Sequence, residues 1–220
     1  MQLGWAALTS GGKDSVLAVQ KALDAGLEVT TLVTVRPANP HSYMFHAANL
    51  DAVRVMAEVA GMEYYEIASA GKKEEETLEL EEGLAKLDAG GLITGAVAST
   101  YQRSRLESIA GRLGIRLYAP LWHMDYAALL REVAARLDAI IVVCAADGLT
   151  EDDLGVHIDD ATVDRLLALE ERYRINPAGE GGEYETLTLN APFFSRPLTY
   201  ASGERRSEAG RHELILKGFA

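Results

Sequence analysis

The sequence predicts an α/β protein with a parallel sheet covered by helices on both faces, followed by a smaller C-terminal α+β region. Apolar, strand-like runs alternate with helix-like runs from Leu3 to Cys144, and such alternation gives parallel strands joined by right-handed crossovers. After about Asp147 the pattern changes to one more helix and short alternating segments. With 220 residues, 48% of them hydrophobic, the chain can bury the core of one large domain, or of one domain with a smaller partner.

The elements of the parallel part follow from apolar runs, helical spacing and glycine stops. Ala47, Leu50 and Val53 share one face of the second helix. Four glycines lie at or just past predicted helix ends, where glycine favours the left-handed stop: Gly26, Gly61, Gly90 and Gly114. The predicted strands are Leu3–Leu8, Glu28–Val35, Glu63–Ile67, Gly91–Ala96, Arg116–Tyr118 and Ala139–Cys144. The predicted helices are Ser15–Ala25, His46–Gly61, Lys73–Ala89, Tyr101–Leu113 and Tyr126–Leu137.

The C-terminal region reads differently. A helix is predicted over Ala161–Tyr173, with Asp160 as its N-cap. Glycine and charge then cluster from Gly179 to Glu185. Short antiparallel strands are predicted at Tyr184–Asn190, Leu198–Ser202 and Glu213–Lys217.

Composition excludes several functional classes. The net charge of -12 argues against a broad surface that tracks the phosphates of nucleic acid, so we expect no DNA partner and disfavour tRNA. The single cysteine, Cys144, lies in an apolar run and is predicted to be a buried strand residue, which excludes a disulfide framework. No apolar run approaches the ~20 residues that span a membrane, and no leader is evident. We therefore expect a cytoplasmic protein without a membrane partner.

The most informative motif lies between the first strand and the first helix: Ser10-Gly11-Gly12-Lys13-Asp14-Ser15. Glycines lack a Cβ, so their backbone N–H groups can approach an anion closely. The helix N-terminus adds partial positive charge, Lys13 adds a full one, and the serines supply hydroxyl donors. The spacing fails for a Walker A loop, which needs four residues between its first glycine and its Gly-Lys pair. The motif resembles the PP-loop of N-type ATP pyrophosphatases, which cleave ATP between the α- and β-phosphates. The alternative is an ordinary glycine turn capped by serine.

Two further segments lie close to this loop in the predicted sheet. The second strand ends at Arg36-Pro37, where its backbone can meet an adenine ring, and Ser42–His46 follows with Tyr43 and His46. That segment also fits an ordinary hydrophobic helix entry.

The helix after the fourth strand carries arginines. Ser99 or Thr100 can cap it, and Tyr101, Arg105 and Arg112 share a face. One interpretation is a solvated face with ion pairs such as Arg103 with Glu107. The other places Arg103 or Arg105 over ATP phosphates, where a guanidinium can hold two oxygens.

Gly179–Thr186 brings three carboxylates, those of Glu180, Glu183 and Glu185, into a glycine-rich turn. They could bind Mg²⁺, hold ammonium or act as a general base toward an incoming amine. The alternative is an acidic surface turn.

Taken together, these segments resemble the diphthine–ammonia ligase family. The resemblance runs from about Leu3 to Phe194, and its most specific parts are Tyr101-Gln102-Arg103 and Gly179–Thr186. Ser195–Ala220 carries no family motif, and Val156 stands where a basic residue often follows Leu-Gly in the family. The other matching segments are the PP-loop, Ser42-Tyr43-Met44, Gly95 through Arg105, Pro120-Leu121-Trp122, Gly148-Leu149 and Leu154-Gly155.

The resemblance implies a Rossmann-like PP-loop (HUP) fold and an AMP-forming ligase reaction. The carboxylate of diphthine, a modified histidine on a translation elongation factor, would attack the α-phosphate of ATP, and ammonium would supply the nitrogen. ATP and Mg²⁺ would be the cofactors, with Asp14 a candidate metal ligand. The implied catalytic residues are Lys13, Glu183 and Glu185. The implied ATP-binding residues are Ser10, Gly11, Gly12, Lys13, Asp14, Ser15, Gly95, Ser99, Arg103 and Arg105. The implied substrate-binding residues are Tyr43, His46, Tyr101, Gln102, Glu180 and Tyr184.

We expect residues 1–98 to form the ATP-binding core and residues 99–220 to complete the sheet and form the acceptor site, with a boundary near 147 as the alternative. A homodimer is one possible assembly. The lone mid-strand Cys144 argues against sulfur transfer, and the length leaves no room for a glutaminase domain, so free ammonium is expected. Three alternatives stay open: amidation of a different carboxylate, modification of tRNA, and a nucleotide-binding module without catalysis.

Overall fold

A computed structural model describes residues 3–38, 48–71 and 75–220. The first part of the chain forms a five-stranded parallel sheet in the order β3-β2-β1-β4-β5, which confirms the α/β class. Its strands are β1 (Trp5–Leu8), β2 (Val29–Pro37), β3 (Glu63–Ser69), β4 (Gly91–Ile93) and β5 (Arg116–Tyr118). The strand order changes direction at β1, which places the end of β1 where such sheets bind ligands.

Helices cover both faces of this sheet. They are α1 (Lys13–Asp24), α2 (Asp51–Ala60), α3 (Glu75–Leu84), α4 (Thr100–Leu113) and α5 (Tyr126–Arg136). On one face Leu17 of α1 and Met56 of α2 pack in a core with Ala7 of β1. On the other face Leu80 of α3 and Leu106 of α4 belong to a second core with Ala6. Successive residues of β1 thus point into opposite cores, as the alternation of a strand requires.

The predicted glycine stops are confirmed at three helices but not at Gly90, which does not have a left-handed conformation. Gly26 lies just past the end of α1 with φ +76°. Gly61 ends α2 with φ +66° and Gly114 ends α4 with φ +69°. The helix predicted over Lys73–Ala89 is shorter, because α3 ends at Leu84 and the chain continues in turns to Leu87.

The C-terminal region forms a separate four-stranded antiparallel sheet in the order β7-β6-β9-β8. Its elements are β6 (Asp138–Cys144), a 3₁₀ turn (Glu151–Asp153), α6 (Asp160–Tyr173), β7 (Tyr184–Asn190), β8 (Ser202–Glu208) and β9 (Arg211–Lys217). The placement of Ala139–Cys144 in the parallel sheet was therefore wrong. Ala139–Cys144 is buried along its length, as a central strand of either sheet would be, so its apolar character does not distinguish the two sheets. Its partner strands, β7 and β9, lie far along the chain.

The strand predicted at Leu198–Ser202 is also misplaced. Leu198 is buried in the hydrophobic core, and its N–H donates to the carbonyl of Leu189 at 2.7 Å, outside a regular strand. The strand begins only at Ser202, and every residue of β8 is exposed. An edge strand without a buried face has no alternation to reveal it.

Cys144 is fully buried in β6, as predicted. No helix in residues 3–38, 48–71 and 75–220 has the length and apolar character to span a membrane.

Candidate active site

A cavity of about 260 Å³ lies at the carboxyl ends of the central parallel strands, and β7 of the second sheet closes it. The glycine loop contributes Ser10, Gly12, Lys13, Asp14 and Ser15 to its wall, and the acidic segment contributes Gly179, Glu180, Tyr184, Glu185 and Thr186. Four apolar side chains line part of the remainder: Leu8, Val35, Ala48 and Leu106. The rest of the wall is formed by Thr9, Thr94, Gly95, Ala96 and Gln102. The structure therefore brings the two most unusual sequence segments into one cavity.

The glycine loop is fixed by its own hydroxyl groups. Gly11 has φ +83°, a conformation that favours glycine. Its N–H donates to Oγ1 of Thr9 at 2.9 Å, and that oxygen lies 2.7 Å from Oγ of Ser15. Thr9 was not among the predicted site residues, although it directly precedes them at the end of β1.

The N-terminus of α1 points into the cavity. Its N-cap is Gly12, which has no side chain to cap the helix, and the first N–H of the helix, that of Lys13, donates to Oγ1 of Thr186. The backbone of Gly95 lies so close that a Cβ there would sit 2.6 Å from the nitrogen of Ser15. Open N–H groups and the helix dipole make such an end an anion site.

Lys13 connects the glycine loop to the acidic segment. Its side chain is only 4% exposed, and Nζ donates to Oδ2 of Asp14 at 2.7 Å and to the carbonyl of Ala178 at 2.6 Å. Nζ also lies 5.3 Å from the ring centre of Tyr184. Burial is the largest single effect and would lower the pKa of Lys13, but the charge and hydrogen bond of Asp14, together with Tyr184 and Glu180, outweigh it and the pKa is raised. Lys13 therefore stays charged inside the cavity wall.

Two threonines of β7 also hold the loop. The N–H of Lys13 donates to Oγ1 of Thr186 at 3.0 Å, and the N–H of Thr188 donates to the carbonyl of Gly11 at 2.9 Å. The sequence carries no signal for Thr186 as a partner of the loop, because the contact joins residues far apart in the chain.

The three carboxylates of the acidic segment have different surroundings. Oε2 of Glu180 accepts from the N–H of Ala98 at 3.3 Å and faces the cavity. Burial, and then the charge of Asp14, raise the pKa of Glu180 despite the opposing effect of Lys13. Glu185 also lines the cavity, and its Oε1 accepts from Arg211 at 2.9 Å.

Glu183 lies apart from these two. Its Oε1 accepts from the N–H of Asn176 at 3.0 Å and its Oε2 from the N–H of Gly181 at 2.8 Å. The described residues that line the cavity do not include Glu183. Its carboxylate joins the two ends of the turn that carries Ala178 and Glu180.

The aromatic and arginine predictions fall in different places. The hydroxyl of Tyr184 donates to the carbonyl of Pro177 at 2.8 Å, so this buried ring forms part of the wall. Gln102 lines the cavity, whereas Ser99 caps α4 by accepting from the N–H of Gln102 at 3.3 Å. Tyr43 and His46 lie outside the described residues.

Arg103 and Arg105 are held on the surface of α4. Arg103 pairs with Glu107 at 2.6 Å and lies over the ring of Trp122 at 4.4 Å. Arg105 lies over the ring of Tyr101 at 3.4 Å. Neither guanidinium is among the described groups that line the cavity.

Two family models match the chain almost from end to end. The diphthamide synthase N-terminal domain matches residues 4–117, and the diphthamide synthase C-terminal domain matches residues 125–216. The chain belongs to the diphthamide synthase family. The cavity described above therefore lies between two segments that this family combines in one protein.

Relatives named diphthine–ammonia ligase support the same conclusion. The Bos taurus protein is 34% identical over 90% of this chain and 83% of its own length, and the Homo sapiens protein 33% identical over the same shares. The Schizosaccharomyces pombe protein is 33% identical over 96% of this chain, which spans 38% of that longer protein.

A solved structure shares the fold. It is a crystal structure from Methanocaldococcus jannaschii, described as a predicted subunit of tRNA methyltransferase, and it aligns with a TM-score of 0.50. The alignment covers 87% of this chain and 98% of the other at 16% identity, which establishes likeness of fold alone.

Proposed function

We propose that this protein amidates the carboxylate of diphthine on a translation elongation factor, using ammonium and ATP and releasing AMP and pyrophosphate. The observation that carries the proposal is that the glycine loop and the acidic turn line the same cavity, in a member of this family. The side of the cavity formed by the glycine loop is suited to a polyanion, and the side formed by the acidic turn can bind an amine and accept its proton. A substrate on a translation factor places the reaction in the cytoplasm.

The loop side is suited to the first step. A carboxylate oxygen of the acceptor attacks the α-phosphorus of ATP, the bond to the bridging oxygen of the β-phosphate breaks, and pyrophosphate leaves. The open N–H groups of α1 and the buried charge of Lys13 lie where negative charge builds up on the phosphates. The apolar wall that includes Val35 and Leu106 offers a surface for the adenine ring.

Mg²⁺ fits this site at Asp14. The Oδ1 atom of Asp14 is buried and has no hydrogen-bond partner among the described residues, while Oδ2 accepts from Lys13. No group of three or more acidic, histidine or cysteine side chains in the described ranges forms a complete metal cage. Mg²⁺ commonly binds through one or two carboxylates plus substrate phosphates, so Asp14 would hold it beside ATP, where it would offset phosphate charge.

The acidic side is suited to the second step. The nitrogen of ammonia attacks the acyl carbon of the adenylate, a proton leaves the nitrogen, and the bond to AMP breaks. We propose Glu180 as the group that accepts this proton, because its carboxylate faces the cavity. The charges of Asp14 and Lys13 also influence its pKa. Glu183 is proposed to hold the turn that presents Glu180.

The remaining roles are also proposals. We propose that Gln102, together with Tyr43 and His46, contacts the acceptor, and that Ser99 fixes the start of the helix carrying Gln102. Residues 1–98 would bind ATP, and residues 99–220 would complete the parallel sheet and supply the acceptor side. Arg103 and Arg105 reach phosphate in this scheme only if their present ring contacts change.

The test is incorporation of isotopically labelled ammonium into the acceptor. Diphthine-bearing elongation factor, ATP, Mg²⁺ and labelled ammonium are incubated with the protein, and the modified histidine peptide is analysed by mass spectrometry. Labelled amide in the presence of ATP is expected. Label incorporation into a different small carboxylate, with none into diphthine, would favour the alternative of another acceptor.

A further inference from the structure

Arg211 connects the C-terminal hairpin to the cavity. It is the first residue of β9, and its Nη2 donates to Oε1 of Glu185 at 2.9 Å while its Nε donates to Oε1 of Glu213 at 2.6 Å. Glu185 is a wall residue of the cavity. The C-terminal hairpin thus places a guanidinium against a cavity carboxylate.

The register of the second sheet sets up this contact. Val143 of β6 pairs with Glu185 on one side and with Glu213 on the other. The two carboxylates therefore flank one residue of the central strand, and Arg211 reaches Glu213 within its own strand and Glu185 across β6. A guanidinium has donors at fixed angles and can hold two carboxylates at once, which a lysine ammonium does less well.

The negative charge of Glu185 would oppose the binding of an anion in the cavity if Arg211 did not pair with it. The same cavity presents the anion-binding loop, and the carboxylates of Asp14 and Glu180 already line it. An unpaired third carboxylate, with a side chain only 20% exposed, would repel a triphosphate bound in the same cavity. Arg211 supplies the compensating positive charge and fixes the carboxylate in place.

We propose that Arg211 is a positioning residue of the ATP site, which neutralises Glu185 and orients it so that a carboxylate can form part of a triphosphate-binding wall. This inference rests on the proposed binding of ATP in the cavity.

Binding of ATP and of uncharged adenosine, measured by calorimetry in the whole protein, tests the proposal. The variants are Arg211→Ala, Glu185→Gln, the double variant and Arg211→Lys. Arg206→Ala is the matched control, because Arg206 lies in the same hairpin and pairs with Glu204 at 2.9 Å without reaching the cavity. Arg211→Ala should weaken ATP binding by about fivefold, as expected for one partly screened charge, and leave adenosine binding unchanged.

The double variant decides whether Arg211 acts through Glu185. Glu185→Gln should restore ATP affinity in the Arg211→Ala background, and Arg211→Lys should restore part of it. The proposal is overturned if Arg211→Ala binds ATP as well as Arg206→Ala does. It is also overturned if the loss of ATP affinity persists in the double variant, which lacks the Glu185 charge. An equal fall in adenosine binding would indicate general damage to the fold and overturns it too. A wild-type protein that binds no ATP overturns it as well. A protein that shows the coupling but forms no amide sinks only the proposed reaction.

Discussion

Lys13 has two roles that its position makes inseparable. Its ammonium group is a partner of Asp14 within the loop and of the Ala178 carbonyl across the cavity. Because it is buried and stays protonated, it supplies a permanent positive charge to the wall of the cavity. Its removal leaves Asp14 without its cation and the loop without its contact to the acidic turn.

Replacement of Lys13 therefore has a clear expected outcome. Lys13→Ala should lower AMP formation by about a hundredfold or more, the size of effect seen when a transition-state charge partner is lost. Lys21→Ala is the control, because Lys21 lies on the same helix and pairs with Glu132 at 2.8 Å, away from the cavity. Initial rates and melting temperatures of both variants separate catalysis from folding. Equal rates for the two variants would contradict the role of Lys13.

Glu180 and Glu183 should differ in their effects on pH dependence. Burial raises the pKa of Glu180. A general base must be deprotonated to act, so when the pH falls, activity is lost at a higher pH than it would be with an ordinary carboxylate as the base. Glu180→Gln should remove this acidic limb of kcat and slow amide formation by about a hundredfold. Glu183→Gln loses one of two backbone contacts, because the amide NH₂ group meets another donor, and should lower kcat while keeping the limb. An intact limb in Glu180→Gln would show that the base is elsewhere.

Cys144 should be dispensable for the chemistry. Burial and the charge of Asp153 raise the pKa of its thiol to about 12, so a thiolate is not available near neutral pH. Cys144→Ser should cost about 1–3 kcal/mol of stability through the buried hydroxyl, with amide formation from ammonium within about twofold of wild type. Thermal melts and ammonium-dependent rates measure the two effects. Loss of ligation in a folded Cys144→Ser protein would point to thiol chemistry instead.

At the scale of elements, the site depends on the close approach of the β4–α4 connection to the start of α1. A Cβ at Gly95 would lie 2.6 Å from the nitrogen of Ser15 and 2.7 Å from the carbonyl carbon of Asp14. Backbone atoms cannot rotate away as a flexible side chain can. The start of α1 must therefore shift if residue 95 gains a side chain.

Gly95→Ala should weaken ATP binding by about tenfold or more, because the open N–H groups move out of place. Gly111→Ala is the matched control within α4, where a Cβ would meet no described atom within 4 Å. Alanine in that helix should instead add roughly 0.5–1 kcal/mol of stability. Calorimetry with ATP and thermal melts test both statements. Unchanged affinity in Gly95→Ala would show that the close approach is not needed.

The elements also show which parts of the fold the sequence could predict. The five parallel strands follow from local apolar runs, and stops such as Gly61 and Gly114 follow from the left-handed preference of glycine. The assignment of β6 to its sheet could not be read in this way, because its partners β7 and β9 lie far along the chain. The fully exposed strand β8 has no buried face, so its residues carry no alternation.

The site shows the same division. Residues of the glycine loop and the acidic turn were predictable from motif and glycine content, and both line the cavity. Glu180, Glu183 and Glu185 have different surroundings because they have different partners. The turn brings Asn176 to Glu183, and the register of the second sheet brings Arg211 to Glu185. Sequence spacing carries no information on those contacts.

At the scale of the whole molecule, two sheets meet at one cavity. The parallel sheet supplies the loop, and β7 of the antiparallel sheet closes the wall and holds that loop through Thr186 and Thr188. The net charge of -12 disfavours a general electrostatic attraction for nucleic acid. The charge that the cavity offers to an anion is local, at Lys13 and α1.

The central claim is an AMP-forming ligation that requires the acceptor. The decisive measurement is separation of the nucleotide products after incubation with ATP, Mg²⁺ and ammonium, with and without diphthine-bearing elongation factor and without glutamine. The proposed reaction predicts AMP and pyrophosphate in amounts equal to the amide formed, and neither product when the acceptor is absent. Formation of ADP and orthophosphate, or strict dependence on glutamine, would contradict it.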